Sequence, residues 1–84
     1  MAKAIWLIYA KRRIREDNMK EIGERIKNLR ESRGMSLVEV ARGLLVSVQT
    51  YKRWENGIFP KFGVEKLVSL AKFYGVNVDF LLGF

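Results

Sequence analysis

With 84 residues, 49% of them apolar, the chain can build one small hydrophobic core, which at this size buries roughly 60% of the unfolded surface. Cysteine and histidine are both absent, which excludes disulfides, Cys/His zinc sites and Cys- or His-based nucleophilic catalysis. Sixteen Lys and Arg against nine Asp and Glu leave a net charge of +7, so the expected partner is a polyanion, either nucleic acid or an anionic membrane face.

The first eighteen residues read as an extension. Ala4-Ile5-Trp6-Leu7-Ile8-Tyr9-Ala10 is apolar and rich in β-formers, and Lys11-Arg12-Arg13-Ile14-Arg15 follows it. The apolar run is far shorter than the ~20 residues of a spanning helix. It lacks a small-residue cleavage pattern, and its main basic cluster comes after it, so it does not read as a signal peptide. The expected compartment is the cytoplasm, with no membrane partner. The segment fits a dimerising strand or helix followed by a basic arm on DNA. It also fits a passive extension ahead of a start at Met19; a membrane-surface segment fits less well, because the basic residues define no single helical face.

Five helices follow in order. Asn18 and Glu21 match a capping box, and Met19, Ile22, Ile26 and Leu29 form one apolar stripe that ends before Gly34. Ser36 and Glu39 repeat the box and open a second helix with Val40, Ala41 and Leu44 inward. Ser47 caps a third helix, which carries Tyr51 and Trp54 and closes at Gly57. After a loop around Pro60, the only proline, Val64, Leu67, Val68, Ala71 and Phe73 or Tyr74 mark a fourth, stopped by Gly75. Asn77 caps a short fifth over Val78–Leu82. The expected class is all-α, with residues 1–18 as the extension and 19–84 as the domain.

Two of these helices carry the function. The second and third are joined by about three residues, the length of a helix-turn-helix, and small Ala41 lies where they would cross closely. At roughly 100° per residue, with Tyr51 and Trp54 inward, Gln49, Arg53 and Asn56 point outward; Lys52 and Thr50 flank them, and Val48 lies nearer the inner side. Gln suits adenine, Arg suits guanine O6 and N7, and a Val or Thr methyl suits the thymine methyl. Lys52 suits a phosphate, as do the backbone N–H groups at the helix starts of Ser36 and Ser47.

From Lys20 to Leu82 the chain resembles the lambda-repressor-like, Cro/C1-type (XRE) helix-turn-helix family. The motifs are Arg25-Ile26-Lys27-Asn28-Leu29-Arg30, Met35-Ser36-Leu37-Val38-Glu39-Val40-Ala41, Val46-Ser47, Arg53-Trp54-Glu55-Asn56-Gly57 and Gly75-Val76-Asn77-Val78-Asp79-Phe80-Leu81-Leu82. The resemblance implies a five-helix bundle whose third helix enters the major groove. Members usually act as homodimers on a pseudo-palindrome with half-sites about 34 Å apart. It assigns base reading to Val48, Gln49, Lys52 and Arg53, and phosphate contacts to Ser47, Asn56 and Lys61 beside Ser36. It also implies a structural pair, Arg30 with Glu55. Two positions depart from the family. Leu37 replaces a frequent phosphate-contacting Gln, and Leu45 replaces the usual turn Gly. Because a Leu at positive φ costs of order 1 kcal/mol or more, the turn is expected to differ, using Gly43.

These residues have plainer readings too. Trp54 and Tyr51 at helical spacing are core rather than base-stacking groups, and Glu55 is a partner for Arg30 rather than an acid catalyst. The carboxylates offer no convergent pair, so no enzyme activity, metal or cofactor is expected. The apolar carboxy-terminal residues Val76, Val78, Phe80, Leu81, Leu82 and Phe84 should pack partly under the bundle and partly in a twofold contact. A chain of this length is not expected to carry a separate ligand-sensing or cleavage domain. The expectation is a sequence-specific transcriptional regulator, a repressor, bound to double-stranded DNA as a homodimer. The alternatives are an antitoxin that also holds a small toxin protein, a restriction-modification controller of the same build, or an interaction module that has lost DNA binding.

Overall fold

The computed structural model describes residues 16–59 and 63–83, the first three through their backbone alone. Among the described residues there are five α-helices and no strand: α1 (Glu16–Ser32), α2 (Leu37–Leu44), α3 (Val48–Glu55), α4 (Val64–Tyr74) and α5 (Val78–Leu82). The all-helical class is as the periodicity predicts. The strand-like stretch 4–10 and Lys61 lie outside the described residues.

The core forms where the apolar faces of these amphipathic helices converge. Ile22 and Ile26 of α1, Val40 and Ala41 of α2, Tyr51 and Trp54 of α3, and Leu67, Leu70, Ala71 and Tyr74 of α4 are buried, with Leu81 and Leu82 of α5. Helix α1 packs on α3 and α5, α2 packs on α3 and α4, and α4 packs on α5. Tyr74, not Phe73, takes the fully buried place at the end of α4. Leu70, absent from the stripe read in the sequence, is fully buried as well.

Two glycines allow the close crossings. A Cβ on Gly23, in the middle of α1, would lie 2.6 Å from the carbonyl oxygens of both Trp54 and Glu55. Helix α1 therefore crosses directly over the carboxy-terminal end of α3, backbone to backbone. A Cβ on Gly43 would press into the Phe73 ring, so the same absence of a side chain seats α4 against α2.

Two expectations are corrected. Asn18 does not cap α1, because the backbone is already helical from Glu16. An Asn followed three residues later by Glu suits a helix interior as well as a helix start. The turn between α2 and α3 does not move to Gly43, which stays helical. Leu45 itself takes the left-handed conformation, at φ 61° and ψ 40°. The closure that α2 needs outweighs the local strain: Leu45 N–H donates to Arg42 O, and Val46 N–H donates to Ala41 O at 3.0 Å.

Candidate nucleic-acid interface

Helix α3 presents two different faces. Tyr51, Trp54 and Glu55 point into the protein, and Val48, Gln49, Lys52 and Arg53 are all exposed. Val48, read from the sequence as nearer the inner side, keeps 37% of its surface exposed, a consequence of its place in the first turn. Gln49, Lys52 and Arg53 make no side-chain hydrogen bond or ion pair to any described residue. Their donors are free for an external acceptor. Asn56 ends α3 with φ −86° and ψ 5°, and its side chain is exposed.

The two helix starts differ electrically. Each leaves its first N–H groups without an intrahelical acceptor, with the positive end of the dipole beside them. At α2, Ser36 Oγ accepts from Glu39 N–H at 3.1 Å, and Ser36 N–H donates to Glu39 Oε1 at 2.8 Å. The Ser36 N–H is thus taken by a carboxylate, as the Ser36–Glu39 box predicts. The hydrogen bond from the Ser36 backbone holds the Glu39 pKa below its ordinary value, so the negative charge stays in place. At α3, Ser47 Oγ accepts from Thr50 N–H at 3.1 Å and donates to Thr50 Oγ1 at 2.8 Å. No acidic residue lies in that first turn. Of the two starts, α3 is the better seat for an anion.

Behind the exposed face, polar ties fix α3 to its neighbours. Arg30 Nε donates to Glu55 Oε2 at 2.6 Å, and Arg30 Nη2 donates to Glu55 Oε1 at 3.1 Å, a bidentate fork. The same guanidinium donates from Nη1 to Met35 O at 3.1 Å, tying α1, the α1–α2 turn and α3 together. The hydrogen bond to Glu55 raises the Arg30 pKa against the opposing effect of burial. Tyr51 Oη and Tyr74 Oη lie 2.6 Å apart in the core. Burial pushes both phenols above their ordinary pKa, Tyr51 the further. Trp54 meets Tyr51 edge-on at 6.3 Å and stacks on Phe59 at 5.9 Å. Both aromatic residues of α3 are core.

The helical pair α2–α3, its three-residue connection and its exposed second helix are the parts of a helix-turn-helix. A family model described as helix-turn-helix matches residues 26–81. The chain belongs to the Cro/C1-type helix-turn-helix (XRE) family. This family comprises DNA-binding regulatory domains. No curated protein and no solved structure matches the chain.

Within this helix-turn-helix domain, no helix among the described residues is long and apolar enough to cross a membrane. No group of three or more His, Cys, Asp or Glu among the described residues could hold a metal. Sequence reasoning missed Gly23 and the tyrosine pair. An isolated Gly inside an amphipathic helix was a usable signal for the first. Nothing local links Tyr51 to Tyr74, which are 23 residues apart.

Proposed function

We propose that this domain is a sequence-specific transcriptional regulator, a repressor, which binds DNA in the cytoplasm as a homodimer and has no enzyme activity. Helix α3 enters the major groove. Gln49 and Arg53 read purine edges, Val48 meets a thymine methyl, and Lys52 serves the site from the flank. The open N–H groups of Val48 and Gln49 beside Ser47, together with Asn56 and Lys61, grip the phosphates. The observation that carries this reading is the exposed, unpaired face of α3 opposite a buried aromatic one. Ile58 and Phe80, each about half exposed, support an apolar contact with a second copy.

The test is selection of bound duplexes from a random library. The pool should converge on one motif with twofold-related halves about 34 Å apart. On that site Arg53→Ala should cost about 1–3 kcal/mol and relax the choice at one base pair. If no sequence is enriched and Arg53→Ala binds as well as the wild type, the reading fails.

A further inference from the structure

A helix that reads bases must hold its side-chain tips to within about 0.5 Å and 10–20°. Helix α3 has eight residues, too few to be stable or fixed in orientation alone. Most of what holds it is apolar contact, which is not directional. The directional ties are the Arg30–Glu55 fork at its carboxy-terminal end and the hydroxyl pair in its middle. That pair reaches from α3 to α4, two helices that are not among the broadly packed pairs of the fold. Tyr51 and Tyr74 are 0% and 1% exposed, so water cannot substitute for either hydroxyl. The Tyr74 ring is itself clamped, edge-on to Phe73 at 5.0 Å and under the Arg33 guanidinium at 5.4 Å.

We propose that Tyr74 is a positioning residue for DNA reading, its hydroxyl setting the rotation of α3 through the hydroxyl of Tyr51. The inference rests on the DNA-reading role proposed for α3. Gln49 and Arg53 stand two residues before and after Tyr51, so each points roughly 160° away from the tie. A guanidinium held roughly 8 Å from the helix axis moves by more than about 1 Å for a rotation of about 10°. Loss of the tie therefore reaches the tips that would meet the bases, although Tyr74 lies on a different helix.

Stability and positioning separate in the double variant. Tyr74→Phe leaves a buried hydroxyl without its partner, but Tyr51→Phe with Tyr74→Phe removes both groups and leaves nothing of the pair unsatisfied. The double variant should melt close to the wild type. Its preference for the selected duplex over a scrambled duplex of the same composition should still fall by roughly tenfold. In the free protein, α3 amides should exchange faster relative to those of α1. If specificity recovers along with the melting temperature, or α3 exchange is unchanged, the tyrosines are structural only and the inference is overturned. A wild-type protein that selects no duplex sinks the proposed function instead; α3 exchange then decides only whether the tyrosine pair fixes the helix.

Discussion

Among the described residues, Leu45 closes α2 in a geometry that recurs at three other helix ends. The same pair of backbone hydrogen bonds closes α1 at Gly34, α3 at Gly57 and α4 at Gly75. Each of those residues is a glycine with φ between 64° and 81°. Only Leu45 has a Cβ there, and 91% of its surface is exposed. It thus carries the strain of the left-handed region with little burial to offset it. Leu45→Gly removes that strain, and glycine's greater freedom in the unfolded chain returns part of the gain. The net expectation is a stabilisation of about 0.5–1 kcal/mol, a rise of a few degrees in Tm. Leu45→Ala keeps the Cβ and should show no such rise. A lower Tm for Leu45→Gly would mean that the side chain is covered by a second molecule.

At the level of elements, the position of α3 follows from what can approach it. At Gly23 the obstructing atoms are backbone carbonyls, which move only if α1 or the end of α3 moves. At Gly43 the obstruction is the edge of the half-buried Phe73 ring, which can swing aside. Alanine favours the helix by about 1 kcal/mol over glycine at either position, so the two variants differ in what opposes that gain. Gly23→Ala should be destabilising by about 2–3 kcal/mol in denaturant melts, and Gly43→Ala by distinctly less. Equal effects would refute the backbone crossing. This contrast also marks how far the sequence was legible. Caps and periodicity identify α2, α3 and α4, because Ser36, Ser47, Gly34, Gly57 and Gly75 act on their own neighbours. The exposed face of α3 follows from two aromatic residues at helical spacing. The beginning of α1 does not, since its polar residues suit either a cap or a first turn. The Gly23 crossing, the Gly43–Phe73 contact and the tyrosine pair depend on segments far apart in the chain, where periodicity carries no distance information.

For the whole molecule, the charge divides unevenly along the chain. Residues 1–15 hold five Lys and Arg and no acid, whereas residues 16–84 hold eleven against nine. Residues 16–84 are therefore close to neutral, at +2, and residues 1–15 supply the other +5. Base reading and electrostatic attraction would then be separable functions. Each phosphate neutralised contributes close to one unit to the slope of log K against log salt. Lys52→Ala should lower that slope by about one in a salt titration on the selected duplex. Deleting residues 1–15, which leaves Glu16–Ser32 intact, should lower it by up to about four to five units. The selected sequence should stay the same, because α3 is untouched. If the slope is unchanged and the truncated protein sediments as a monomer where the full chain is a dimer, the segment joins two copies instead of holding DNA. If neither quantity moves, the segment contributes to neither, and the near-neutral domain must bind through α3 and its flanking N–H groups alone.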